Sequence, residues 1–261
     1  MPPNVYRGAF DRWHDAYERG RPGWPPEVVE IPALPRQASV LELGAGTGKL
    51  TRLLVERFAD VAAVEPDAGM RRLLGPLCPA ARVVDGAAES IPLADGSVDA
   101  VFSAEAFHHF DHRRALAEIA RVLRPGGALV LMWNVPAGPV EPSIAAVERL
   151  LAERGPSRGE IGYDPMDLNH VRYASHAWRK AFDGAPFGER HDERLANEQL
   201  TDADGLVALL ASMGWVSDLL DADRDALLGD VRALLTAPAY RRPWETRVTW
   251  TRLLQSHHGT V

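Results

Sequence analysis

Apolar positions along the first half of the chain follow two alternating rhythms. Ser39–Leu43 is a short apolar run that enters a cluster of glycines, which predicts a strand. Lys49–Phe58 then places Leu50, Leu53, Leu54 and Phe58 on one face of a helix. Val61–Val64 reads as a second strand, and Met70, Leu73, Leu74 and Leu77 mark a second helix face. Arg82–Val84 is a weaker strand and Val98–Ser103 a fourth. Asp111 is placed to cap a helix carrying Leu116, Ile119, Ala120 and Leu123. Pro125-Gly126-Gly127 predicts its end, and Ala128–Trp133 a fifth strand. Strands alternating with helices predict an α/β fold with a parallel sheet covered on both faces.

The flanks read differently. Residues 1–36 form a polar, aromatic-rich arm in which Phe10, Trp13 and Tyr17 share a helical face that Gly20 can end. The segment from Arg21 to Pro26 breaks regular structure. After Asn134, Ile144, Val147, Leu150 and Leu151 line one helix, and Tyr173, Trp178 and Phe182 make a second one aromatic. Residues 187–197 suit a strand, 202–212 and 222–236 suit helices, and Glu245–Leu254 alternates like a final strand. The organisation expected is an arm over 1–36, a core over 37–135, a helical lid insertion over 136–186, and a C-terminal completion of the sheet over 187–261.

Composition changes this picture little. With 261 residues and a formal net charge of −7, the chain lacks the basic excess of a nucleic-acid binder, and no such partner is expected. The single Cys78 excludes an internal disulfide. The N-terminal stretch has no apolar signal core, and no apolar run reaches the ~18 residues of a membrane span. A cytoplasmic protein without a membrane partner is the expectation.

Chemistry concentrates at Val40-Leu-Glu-Leu-Gly-Ala-Gly-Thr-Gly-Lys-Leu50. Glycines let the backbone turn tightly and approach a ligand with no Cβ in the way. Here they follow a first strand, at the end of the sheet where open α/β folds bind ligands. A dinucleotide fingerprint requires a third glycine where Lys49 stands, and a phosphate P-loop requires Ser or Thr where Leu50 stands. Glu42 is a carboxylate within an apolar strand, costly to bury unless paired. Its charge suits a cationic ligand better than a pyrophosphate. Glu65 ends the second strand, where an acid accepts hydrogen bonds from ribose hydroxyls.

Five segments taken together resemble a known family. Glu42-Leu-Gly-Ala-Gly-Thr-Gly48, Val64-Glu-Pro-Asp67, Ala88-Glu-Ser-Ile-Pro-Leu93, Asp99-Ala-Val-Phe102 and Arg121-Val-Leu-Arg-Pro-Gly-Gly127 resemble, in order, the motifs of class I S-adenosylmethionine-dependent methyltransferases. The resemblance spans about residues 36–134. Arg21-Pro-Gly-Trp-Pro25 and Ala106-Phe-His-His-Phe-Asp111 look like the branch that includes trans-aconitate methyltransferase-like and menaquinone-biosynthesis-like enzymes. It implies a Rossmann-like, doubly wound sheet and S-adenosyl-L-methionine as cofactor. It also implies roles. Gly44 and Gly46 pass under the methionine part, and Glu42 helps hold its amino group. Glu65 binds ribose, Pro66 and Met70 pack on adenine, and the backbone of Ala87 and Ala88 meets the adenine edge. Ser103 contacts the methionine portion, while Tyr17 and Arg21 close over the cofactor. Ala87 departs from relatives with Asp or Thr, Glu105 from those with Gln, and His109 from those with Trp.

The resemblance implies transfer to a small-molecule acceptor at oxygen, nitrogen or carbon. Rival readings are a carboxyl methyltransferase of the trans-aconitate type, with Arg172 or Arg179 as a cationic clamp, and a protein that uses the same ligand for a non-methylating rearrangement. His108 is the candidate general base, because an imidazole titrates near neutrality; packing against the pocket is its plainer role. His108 and His112 have the spacing of a metal pair, but no third ligand is evident and no metal is expected. Tyr163, Tyr173, Trp178, Phe182 and Trp215 suit either an aromatic lid or an ordinary core. Asn134 ends the fifth strand, where it is placed to face an acceptor.

Overall fold

The computed structural model describes residues 14–155 and 177–255; Phe10, Trp13, Tyr163, Arg172 and Tyr173 lie outside them. Seven strands form one sheet in the order β3-β2-β1-β4-β5-β7-β6. They are β1 (Ser39–Leu43), β2 (Asp60–Val64), β3 (Arg82–Val84), β4 (Val98–Ala104), β5 (Leu123–Pro136), β6 (His191–Thr201) and β7 (Tyr240–Arg252). The helices are α1 (His14–Gly20), α2 (Lys49–Arg57), α3 (Ala68–Leu77), α4 (His112–Val122), α5 (Pro142–Arg154), α6 (Ala203–Ala211), α7 (Gly214–Ser217) and α8 (Asp221–Leu234).

β1 pairs in parallel with β2 on one side and β4 on the other, with Leu41 opposite Ala62 and Val101. β2 pairs in parallel with β3, and β4 with β5. The chain runs outward from β1 to β3, then returns to lay β4 against the free side of β1. Strand order therefore reverses between β1 and β4, and ligands of open α/β sheets bind beyond the carboxyl ends of the strands at such a point. At the far side the sheet turns antiparallel. Gly126 N–H donates to the Leu253 carbonyl, and Leu253 N–H donates to Gly127, so the start of β5 lies against the end of β7. The result is a mixed sheet of the Rossmann-like kind.

Local chemistry explains most boundaries. The side chains of Asp67, Asp111 and Asp202 accept the backbone N–H of Met70, Arg114 and Gly205, capping α3, α4 and α6. Pro125-Gly126-Gly127 does end the helix, but it also extends the strand, which begins at Leu123 instead of Ala128. The hydrogen bonds to Leu253 draw this turn-like tripeptide into the ladder. β7 likewise starts at Tyr240, ahead of the predicted Glu245, because Tyr240, Arg242, Trp244, Thr246 and Val248 form a continuous buried row.

The chain divides into two compact units. One comprises Trp24–Trp133, Ser175–Leu195 and Arg247–Val261. Its core packs Val40, Leu50, Leu54, Phe58, Phe102 and Val130 with Val28, Val61 and Val248 among their neighbours. The other comprises Met1–Gly23, Asn134–Ala174 and Ala196–Thr246. Its core is mostly helical, with Ile144, Leu151, Leu209, Val216, Val231 and Trp244 buried together. No helix among the described residues is long and apolar enough to cross a membrane.

Gly20 sets how closely α1 meets α6. A Cβ there would lie 2.1 Å from the backbone nitrogen of Leu209 and 2.4 Å from the carbonyl carbon of Ala208, both rigid main chain. Overpacking of that kind typically costs ~1–3 kcal/mol. Gly20→Ala is therefore expected to lower the urea midpoint by a corresponding amount. An unchanged midpoint would show that α1 does not need to approach so closely.

Candidate functional site

The glycine loop leaves β1 at the switch point. Gly44, Gly46 and Gly48 all have positive φ, of 69°, 58° and 91°. Side chains rarely adopt that conformation. Space is short as well: a Cβ on Gly44 would sit 2.4 Å from Ala106 Cβ, and one on Gly48 would sit 2.6 Å from Leu74 Cδ1. The loop is tied to β2 by the N–H groups of Gly44 and Ala45, which both donate to the Val64 carbonyl.

Two carboxylates underlie this loop. Glu42 is almost fully buried, and its Oε2 accepts the Thr51 hydroxyl at 2.5 Å. Burial raises its pKa to about 8, with the nearby Glu65 charge adding to the rise and the Thr51 hydrogen bond opposing it. Glu65, at the end of β2, is also buried. Its Oε2 accepts the Gly46 N–H at 2.8 Å and its Oε1 the Asp67 N–H at 2.9 Å. Desolvation pushes its pKa up despite those two hydrogen bonds. Glu65 thus holds the glycine loop through Oε2 and the residue that caps α3 through Oε1, and each oxygen retains capacity for another donor.

The other residues that the resemblance implies for the cofactor lie on several elements. Ser103, near the end of β4, is fully buried, and its Oγ has no hydrogen-bond partner among the described residues. Met70 is buried in the first turn of α3, while Pro66 is exposed. Ala88 is buried, and Ala87 forms a bridge with Ser90 whose N–H donates to the Ala87 carbonyl. Arg121 anchors the segment that follows. Its guanidinium donates to the carbonyls of Ile91 and Leu93 and pairs with Glu118 and Asp95. Glu118 in turn accepts the Ile91 N–H at 2.8 Å. Tyr17 and Arg21 belong to the mostly helical unit. There Arg21 Nε donates to Ser212 Oγ at 2.8 Å, and its Nη2 to the Ser212 carbonyl at 2.9 Å.

β4 leads into the candidate catalytic segment through Glu105, whose φ of 52° is unusual for a residue with a side chain. Such strain concentrates where surrounding structure enforces a functional conformation. Phe107–His109 then forms a short 3₁₀ turn. His108 is buried and His109 exposed. Trp133 Nε1 donates to His108 Nδ1 at 3.2 Å, which assigns the proton of the neutral imidazole to Nε2. Around this pair lies an aromatic group: Trp133 packs on Trp178 with ring centres 5.1 Å apart, and Phe107 meets Trp178 edge-on and stacks on His112.

Several sequence expectations take a different form here. Asn134 is a structural hub: its amide donates to the Gly23 carbonyl and accepts from Thr246 Oγ1 and Asn197 Nδ2. Arg179 is engaged by Asp192 and Thr249. Among the described residues no His, Cys, Asp and Glu side chains gather as a metal-binding group. Thr51 as the partner of Glu42, and Trp133 as the partner of His108, went unseen in the sequence. The only signal for Thr51 was a small polar residue on the otherwise apolar face of α2.

Comparison with known proteins defines the class. A family model described as a methyltransferase domain matches residues 41–131. An uncharacterized methyltransferase of Mycobacterium bovis is 55% identical over 121 residues, covering 46% of this chain and 49% of that protein. The chain thus spans about half the length of that relative. A methyltransferase-like protein of Schizosaccharomyces pombe is 30% identical over 214 residues, 80% of this chain and 78% of that one. A solved structure of a type II methyltransferase candidate from Anaeromyxobacter dehalogenans aligns with a TM-score of 0.66 and 25% identity, over 90% of this chain and 99% of that one. The chain is a member of the class I S-adenosylmethionine-dependent methyltransferase family.

The residues fit that family's cofactor on their own terms. Gly44 and Gly48 have no room for a Cβ, and among the described residues Glu42 and Glu65 are buried with no cation hydrogen-bonded to their carboxyls and the Ser103 hydroxyl is buried with no hydrogen-bond partner.

Glu42 gives a pH prediction. Its carboxyl titrates near 4.5 in the unfolded chain and at about 8 in the folded one. Between those values the unfolded state has lost a proton that the native state keeps, so stability falls as pH rises through that window. Glu65 shifts in the same direction. Urea midpoints of the ligand-free protein should decline from about pH 5 to about pH 8, and Glu42→Gln should flatten the decline. An identical slope in both proteins would remove Glu42 as its source.

Proposed function

We propose that the protein transfers the methyl group of S-adenosyl-L-methionine to a small-molecule acceptor at oxygen, nitrogen or carbon. The observation that carries this reading is the set of buried polar groups at the switch point: the carboxyls of Glu42 and Glu65 and the unpartnered hydroxyl of Ser103. A ligand that brings an ammonium and ribose hydroxyls supplies what these groups lack.

When bound, S-adenosyl-L-methionine supplies a methyl group already activated by its sulfonium. The chain's task is then to bind, orient and exclude water. In this reading Gly44 and Gly46 let the backbone pass close beneath the methionine part. Glu42 faces its amino group, and Ser103 bonds to the same portion. The remaining lone pairs of Glu65 accept the ribose hydroxyls. Met70 and Pro66 flank the adenine, whose edge meets the backbone of Ala87 and Ala88.

The role of His108 follows from its hydrogen bond. A neutral imidazole whose Nδ1 accepts from Trp133 carries its proton on Nε2 and presents a donor there. We therefore assign His108 to orienting the acceptor through Nε2–H, with the aromatic group of Phe107, Trp133 and Trp178 shaping an apolar pocket wall.

Calorimetry tests the cofactor assignment. S-adenosylmethionine and S-adenosylhomocysteine should bind, and NAD should not; tighter binding of NAD would falsify the reading. Glu65→Ala should weaken cofactor binding by about 1–3 kcal/mol. At pH 7 a cationic ligand over Glu42 should drive off the carboxyl proton, so the measured heat should depend on the buffer's ionisation enthalpy. Glu42→Gln should lose that dependence.

An acceptor screen with labelled cofactor makes His108 testable. A general base would lose roughly 10²–10⁴-fold in turnover on conversion to Asn. The donor role predicts that His108→Asn keeps most of the rate, with no acid limb in the pH–rate profile of either protein. A large loss in His108→Asn, together with a wild-type limb near the imidazole pKa, would restore the base.

A further inference from the structure

The mostly helical unit buries a guanidinium with two N–H donors that have no acceptor among the described residues. Arg242 lies in the inward row of β7, between Tyr240 and Trp244, and its side chain is 1% exposed. Its Nε and Nη2 are buried and have no hydrogen-bond partner among the described residues. The nearest opposite charge is Glu148 on α5, at 3.9 Å from Nη2, beyond hydrogen-bonding range. The guanidinium also lies over the Trp244 ring, 4.8 Å from its centre, which steadies the charge but accepts no N–H in the ring plane. Desolvation pulls the Arg242 pKa down, and Glu148 only partly opposes this.

Two features narrow what this site takes. First, Nε–H and one Nη2–H lie on the same edge of the guanidinium, the edge that receives both oxygens of a carboxylate in a bidentate pair. Second, Arg242 lines a cleft with Ile144, Val147, Leu206, Leu209 and Leu210. Every wall residue except the arginine is aliphatic. The enclosed part of the cleft is about the size of a water and the rest is open to solvent, so a ligand would have to widen it to seat its head, with its chain along the aliphatic opening.

We infer that Arg242 and this cleft form a binding site for a short aliphatic carboxylate. A polyanion such as a phosphate ester is a poor match, because one arginine with Glu148 nearby offers little net positive charge. A neutral aliphatic ligand leaves the two donors unsatisfied. An aliphatic carboxylate satisfies the donors and covers the leucines and isoleucine at once. The carboxylate is either part of the methyl acceptor or a separate effector, and the chemistry of recognition is the same for both.

Thermal unfolding of the full chain in hexanoate, hexanol and chloride tests this without any cofactor, so its result is independent of the methyl-transfer reading. Hexanoate at millimolar concentration should raise Tm by a few degrees, with smaller shifts from hexanol and chloride. Arg242→Met, which replaces the guanidinium by an apolar group of similar reach, should fold and lose the hexanoate shift. Glu148→Gln removes the competing charge and should tighten hexanoate binding by roughly 3- to 10-fold. No hexanoate shift in the wild type, an equal shift in Arg242→Met, or hexanol matching hexanoate would each overturn the proposal. Should Arg242→Met fail to fold, Glu148→Gln decides alone, and unchanged affinity there is a negative result. With labelled S-adenosylmethionine added, label in an alkali-labile ester marks the carboxylate as acceptor, and unlabelled hexanoate that still shifts Tm marks it as an effector.

Discussion

A carboxylate buried beneath a glycine loop with only a hydroxyl for a partner is the constraint on which the candidate site depends. Glu42 sits in the middle of the sheet, where a free charge is expensive. The fold answers with a proton and Thr51 in place of a cation. Thr51 is available because Gly48 starts α2 close behind β1, and Gly48 does so only because it tolerates φ of 91° against Leu74. Glu65 closes the arrangement from β2 by holding the Gly46 N–H. Strand end, loop and helix start are thereby one unit, and a substitution in any of them reaches both carboxylates.

The first half of the sheet was legible in the sequence because its strands and their punctuation are local. β1 to β4 are short, apolar and punctuated by glycine or a capping aspartate, so period and punctuation agree. Where they disagreed, the sequence misled. Pro125-Gly126-Gly127 carries the signature of a stop, yet its neighbours in space, not in sequence, turn it into strand. Arg242 and Pro243 break the alternation at the start of β7, so the buried row beginning at Tyr240 did not show. Site residues followed the same rule. Gly44, Gly46, Glu42, Glu65 and Ser103 come to one place because each ends or follows a parallel strand. The partners of His108 and Asn134 come from distant segments, and no spacing announces them.

The hydrogen bond from Trp133 to His108 illustrates how a distant partner changes chemistry, not merely position. Both residues lie near strand ends of the same unit, and either alone is compatible with a general base or a packing residue. Together they fix a tautomer. A base must offer a lone pair toward the acceptor; in the role proposed for His108 the imidazole offers a proton instead. The activated methyl group makes that sufficient for acceptors that are already nucleophilic, because alignment and exclusion of water are then the remaining demands.

Asn134 and Arg242 mark the two ways a buried polar group can stand inside the mostly helical unit. Asn134 is bonded on both sides of its amide, to Gly23, Asn197 and Thr246, and such a saturated group specifies structure. Arg242 is equally buried and has two donors without acceptors among the described residues. Replacing an unsatisfied buried ion with an apolar residue is commonly neutral or stabilising, so stability alone gives no reason for an arginine at this position. Arg242→Met separates the alternatives in a single protein. If the arginine serves the fold, its loss lowers Tm. If it serves a ligand, Tm of the ligand-free protein holds or rises, and only the response to an aliphatic carboxylate disappears.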